Sequence, residues 1–177
     1  MVYYAVDIIA ATITEYSQQE SNIWFYNVSL LFEILLYFYV FNCLIISNTY
    51  KKLIVNFALV FFITDIINMT SGQGINVLST YTLIPAHIFV VLLAYLHMKL
   101  TIENIDLKPL LLFSFWFSIA TFISVATSIP VLSIINSLND ENLELASKIF
   151  ILNDIAYCSW YCLIIVGLLW TRKHTKI

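Results

Sequence analysis

The chain has 177 residues, of which 61% are apolar and 11% charged, and its mean hydropathy is +0.90. That balance lies far outside the range of a soluble domain and marks an integral membrane protein. A net charge of −3, with 8 lysines and arginines in all, leaves no basic patch suited to nucleic acid.

Apolar runs of about 20 residues, the length that crosses a bilayer, predict the elements in chain order. A short first segment at 1–16 carries Asp7 and either crosses as a thin helix, docks re-entrantly or is the remnant of a longer natural N-terminus. It lacks the basic start of a cleavable signal, so it is expected to remain in the mature protein. Full spans follow at 23–47, 53–71, 74–98, 109–137 and 148–170. The expected class is therefore all-α: a polytopic transmembrane helix bundle of five spans plus a short N-terminal sixth, in a single integral membrane domain over 1–177. Pro130 is expected to kink or end the span at 109–137. Gly72 and Gly74 in "SGQGIN" read as a turn between helices and are too few for a phosphate loop.

Short loops holding Lys and Arg stay in the cytoplasm. Lys51, Lys52, Lys99, Lys108, Arg172, Lys173 and Lys176 fall on one side and only Lys148 on the other. The C-terminus is accordingly expected in the cytoplasm, and the expected compartment is the bacterial cytoplasmic (inner) membrane. The opposite side collects Glu15, Glu20, Asp140, Glu141 and Glu144. Trp24 and Trp170, with Tyr16 and Tyr50, suit the aromatic belts at the two interfaces. The loops are too short to hide a soluble catalytic or signalling domain.

Cys43, Cys158 and Cys162 lie within apolar segments, which predicts buried thiols rather than a disulfide framework. Cys158 and Cys162 share a helix face, but without a second cysteine pair or a nearby histidine they make a poor zinc site. No metal or cofactor is expected.

Four acids remain inside apolar segments: Asp7, Glu33, Asp65 and Asp154. An acid at a helix centre costs about 2.5 to 3.5 kcal/mol against lipid, so these must face inward, pair or carry a proton. Residues three, four and seven apart share a helical face. Tyr26, Ser29, Glu33 and Tyr37 then form one stripe, Asp65 and Asn68 a second, Asn76, Thr80 and His87 a third. Asp154, Tyr157, Cys158 and Tyr161 form a fourth, with Asn153 beside it. Ser114, Ser118, Thr121 and Ser128 offer a small-residue face suited to close packing.

At about 1.5 Å per residue, Glu33 and His87 both fall near the midplane, where they are placed to meet. Asp65 and Asp154 lie about 9 Å below the outer ends of their helices, in a layer shared with Asn68, Asn153 and Asn27. These groups, with Tyr37 and Tyr157, predict a pocket facing outward and floored by Glu33 and His87. Such a pocket suits a cation, a proton or a small cationic ligand, for transport or sensing, with Glu33 and His87 linked to protons. The alternative is a membrane subunit or self-assembling homo-oligomer whose polar faces bind partner helices, the same acids then serving as interhelical glue. An intramembrane hydrolase built from a serine with His87 and Asp65 ranks third, because no nucleophile elbow is present. Against transport stands the lack of a visible inverted repeat.

Overall fold

The structure, a computed structural model, describes residues 23–104 and 108–174. The segment at 1–16, with Asp7, lies outside the described residues, as do Glu15, Glu20, Asp106 and Lys176.

Five long helices make up the described chain: α1 (Ile23–Leu44), α2 (Asn48–Ser71), α3 (Thr80–Glu103), α4 (Phe113–Glu141) and α5 (Leu143–His174). All five are long and apolar enough to cross a membrane. In lipid a backbone must satisfy its own polar groups, so an apolar run of this length is held as helix. The protein is an all-α bundle of transmembrane helices, as its hydropathy predicts.

The helix ends differ from expectation at three places, each for a local reason. The α1–α2 link is only Ile45–Ser47, because α2 begins at Asn48 rather than five residues later. Between α2 and α3 the chain stays non-helical to Ser79, so Asn76 lies exposed on a loop and not on the His87 stripe. Gly74 there takes φ +88°, which suits glycine, and the carbonyls of Ile75 and Val77 bond to the Asn27 side chain instead of a following helical turn. Between α4 and α5 the expected long link shrinks to Asn142. Its amide donates to the Leu138 carbonyl, and its side-chain Oδ1 accepts the Leu145 N–H at 3.0 Å, capping α5 as α4 ends.

Pro130 lies inside α4 without ending it, and Pro85 does the same in α3. Each removes one backbone donor, a loss that helices packed on neighbours tolerate. α5 runs 32 residues, about 48 Å, which exceeds the hydrocarbon thickness. Its last turn carries Arg172, Lys173 and His174, cations favoured at a helix C-terminus.

α1, α2 and α3 pack together around Ile34, Phe38, Phe61, Leu83 and Val90, all buried. Phe38 meets Phe57, Phe61 and Phe89 edge-on with ring centroids 5.7 to 6.0 Å apart. α4 bridges this group to α5. Its small-residue face, Ser118, Ala120, Thr121, Ser124 and Ser128, is buried throughout, so the serine stripe brings backbones close together. On α5, Gly167 serves the same end, since a Cβ there would stand 2.5 Å from the Trp116 Cβ.

The cysteines depart from expectation. Cys43, Cys158 and Cys162 are all exposed on the sides of their helices rather than buried. An apolar thiol at a lipid-facing position incurs no penalty of the kind that drives it inside in a soluble protein.

Candidate functional site

The polar residues expected to share one pocket resolve into separate groups. Asp65 and Asn68, one turn apart on α2, join the start of α3. The Ser79 hydroxyl donates to Asp65 Oδ1 at 2.8 Å, and the Thr82 hydroxyl donates to the same oxygen. Asn68 Nδ2 donates to Ser79 Oγ at 2.7 Å and to Gln73 Oε1 at 3.0 Å. Asp65 is fully buried, and its Oδ2 has no hydrogen-bond partner among the described residues.

Asn27 of α1 completes this cluster and acts as a clamp on the α2–α3 loop. Its Nδ2 donates to the carbonyls of Ile75 at 3.0 Å and Val77 at 2.9 Å, while its Oδ1 accepts the Ser79 N–H at 2.9 Å. From α4, Asn136 Nδ2 reaches the Leu78 carbonyl at 2.9 Å and Thr80 Oγ1 at 3.0 Å. Side chains thus take over the backbone pairing that the loop lacks. The geometry assigns Asp65, Asn68 and Asn27 to holding a loop in place.

His87 is buried on the core stripe of α3 with Leu83, Val90 and Ala94. Its Nδ1–H donates to the Leu83 carbonyl of its own helix at 2.7 Å. It is absent from the lining of the groove that holds Glu33, so the two do not form a shared floor. The physical reason is the width of the packed stripe on α1. Ile34 and Phe38 occupy the core against α2 and α3, which turns Glu33, one residue and about 100° away, to a different side.

Asn153 is buried against α4, where its Oδ1 accepts the Ser128 hydroxyl at 2.6 Å. Asp154, the next residue, lies on the exposed side of α5 instead of facing the bundle with Asn153. A histidine outside the expected set, His97, meets Ser118 through Nδ1 at 2.8 Å, and both are buried. This buried pair ties α3 to α4.

Glu33, Tyr37 and Tyr157 do come together. They line a groove of about 440 Å³, within the size range of small-molecule sites, about 300 to 1,000 Å³. α1 supplies one wall with Tyr26, Ser29, Glu33 and Tyr37, α4 supplies Phe117, and α5 supplies Tyr157, Trp160 and Tyr161. Tyr37 and Glu33, one turn apart on α1, face the same groove. Trp160 is oriented by its indole N–H, 3.3 Å from Thr121 Oγ1, and stands edge-on to Phe117 and Tyr161 with centroids 6.1 and 5.2 Å away. Among the described residues of this lining, Glu33 is the charged side chain. Such a groove can surround a positive charge with ring faces while one carboxylate balances it.

Among the described residues no three His, Cys, Asp or Glu side chains gather to hold a metal ion. Sequence reading placed Tyr157 and Tyr161 on one stripe but missed Trp160 and Phe117. The spacing of Tyr157, Trp160 and Tyr161, three and four apart, carries that signal on α5 alone. Nothing in the sequence pairs Phe117 with it. Compared with protein-family models, curated proteins and solved structures, the chain matches none.

Proposed function

We propose that this protein binds a small organic cation in the groove between α1, α4 and α5, in the service of transport or sensing. The observation that carries the reading is Glu33, a carboxylate set among the aromatic rings of Tyr26, Tyr37, Phe117, Tyr157, Trp160 and Tyr161. A carboxylate in a low-dielectric cavity favours positive charge beside it. Ring faces add cation–π attraction of about 0.5 to 2 kcal/mol each where water is excluded. An inorganic ion such as Ca²⁺ or Mg²⁺ is less suited, because such ions favour several carboxylates or retained waters, and the other oxygens of the described lining are phenol and serine hydroxyls.

The site belongs, in this proposal, to a protein of the bacterial cytoplasmic membrane. Alternating helices bring Lys51, Lys52, Lys99 and Lys108, with Arg172 and Lys173, to one end of the bundle, and Lys148 to the other. Positive residues favour the cytoplasmic side.

Titration of purified protein in phosphatidylcholine nanodiscs with radiolabelled tetraethylammonium tests the reading. Saturable binding is expected, weakened at least about tenfold in Glu33→Gln, a loss equal to about 1.4 kcal/mol. Absence of saturable binding to the wild type, or equal binding by Glu33→Gln, overturns it. A second reading, assembly with partner helices or further copies of the chain, is favoured by α5, whose span is 17% buried against 50% for α4. Mass measurement of the same nanodiscs tests it, a stable oligomer being the supporting result and a monomer the opposing one.

A further inference from the structure

Apart from the Glu33 groove, and sharing none of its lining residues, a pocket of about 320 Å³ opens between the end of α1 and the start of α2. Asn42 of α1 lines it with Lys51, Lys52, Val55 and Asn56 of α2. We propose that this pocket holds the headgroup of an anionic phospholipid, its phosphate between Lys51 and Lys52, a headgroup hydroxyl on Asn42 and its acyl chains along α2. Phosphatidylglycerol has this chemistry.

The charge of the corner calls for an anion. Among the described residues neither Lys51 nor Lys52 pairs with an acid. Both stand near the start of α2, where the helix dipole disfavours cations, and the first turn holds no acidic residue. Ser47, at the N-cap, makes no side-chain bond to that turn. A phosphate over the two ammonium groups offsets their mutual repulsion and the dipole together. Basic pockets between membrane helices hold anionic headgroups on the same terms.

Asn42 calls for a donor. Its Oδ1 is buried with no hydrogen-bond partner among the described residues, and a buried acceptor left unpaired is costly. With the lysines engaged by the phosphate, a hydroxyl of the headgroup supplies that donor once the Asn42 amide turns into the pocket.

The surface below the pocket selects a lipid over a soluble phosphate. α2 has 24 residues, about 36 Å against about 30 Å of hydrocarbon. Lys51 and Lys52 therefore sit near the hydrocarbon edge, and their side chains reach up to the phosphate layer. Val55, Leu59, Phe62, Ile63 and Ile66 are all exposed. At about 100° per residue they fall within the sector that Lys51, Lys52 and Asn56 span. From Val55 to Ile66 the column runs about 16 Å, half the hydrocarbon thickness and thus the depth of one acyl chain. A soluble phosphate would leave this column unused.

The test is native mass spectrometry of the full chain in dodecylmaltoside, titrated with phosphatidylglycerol or phosphatidylcholine of the same acyl chains. The first phosphatidylglycerol is expected to bind at least about tenfold more tightly than phosphatidylcholine. Lys51→Gln and Lys52→Gln should each weaken it at least about threefold, while Lys173→Gln, in the last turn of α5, should leave it unchanged. Asn42→Ala should weaken phosphatidylglycerol and spare phosphatidylethanol, an anionic lipid without headgroup hydroxyls. Equal affinities for the first two lipids overturn the proposal, as does a loss in Lys173→Gln matching that of the pocket variants, which would mean general attraction to a basic surface. An unchanged affinity in Asn42→Ala refutes the headgroup bond. Glycerol 3-phosphate at about 1 mM should fail to displace the lipid; displacement would make a soluble phosphate the occupant and overturn the assignment to lipid.

Discussion

Replacing Asn27 by alanine should loosen the α2–α3 loop and cost more stability than any other single polar substitution on α1. Asn27 is fully buried and makes three hydrogen bonds to the loop backbone, at 3.0, 2.9 and 2.9 Å. Two of them end on carbonyls of Ile75 and Val77, residues exposed enough that water can replace the lost donor. Those two are worth about 1 kcal/mol or less apiece. The third leaves the Ser79 N–H without its acceptor in a fully buried residue, at a cost of about 1 to 3 kcal/mol. Together the loss is about 2 to 4 kcal/mol, or roughly 30- to 800-fold in the unfolding equilibrium. Equilibrium unfolding of the protein in mixed dodecylmaltoside and dodecylsulfate micelles, followed by circular dichroism, measures it. Hydrogen exchange at Ser79 in the same samples should speed up well beyond the change at core positions such as Val90. A loss below about 0.5 kcal/mol with Ser79 still protected would show that the loop holds its shape without Asn27, and the clamp reasoning would fail.

Other outcomes follow from close contacts elsewhere. Gly167→Ala should push α5 off Trp116 and lower stability by about 1 to 3 kcal/mol, the usual cost of overpacking; an unchanged melting temperature refutes the close approach. Ser128→Ala and Asn153→Ala should be coupled by about 0.6 to 1.7 kcal/mol in a double-mutant cycle, the range seen for hydrogen bonds between membrane helices. Strict additivity would remove the α4–α5 bond from the account. A fluorescent-protein fusion to the C-terminus should glow while an alkaline phosphatase fusion there stays inactive, because Arg172 and Lys173 end α5 on the side with most of the basic residues. The reverse pattern would invert the bundle.

Hydropathy made the membrane helices legible because each span must be apolar along its whole length, whatever its neighbours. Ends were harder. The break after Ser71 is set by Gly74 and by an asparagine some 50 positions earlier, and periodicity within one segment cannot register a partner so distant. The site was legible in part for the same reason. Glu33, Tyr37 and Tyr157 could be singled out because a carboxylate or phenol in a span is conspicuous on its own helix. Their separation from His87 and Asp65 depends on how the helices are rotated against one another, which the core packing of Ile34 and the edge-on rings of Phe38 and Phe61 decide. Depth along the membrane normal was readable at about 1.5 Å per residue, but azimuth was not. Two groups at one depth can therefore lie on opposite sides of a helix.

The clamp on the α2–α3 loop also joins parts of the chain that are made at different times. Asn27 precedes in the chain the backbone it grips at residues 75–79, and its three hydrogen bonds link α1 to the α2–α3 loop. Asn136 arrives 58 positions after Leu78, whose carbonyl it binds. The loop is thus fastened twice, from a helix that precedes it in the chain and from one that follows it, and the second fastening ties α4 to the first three helices.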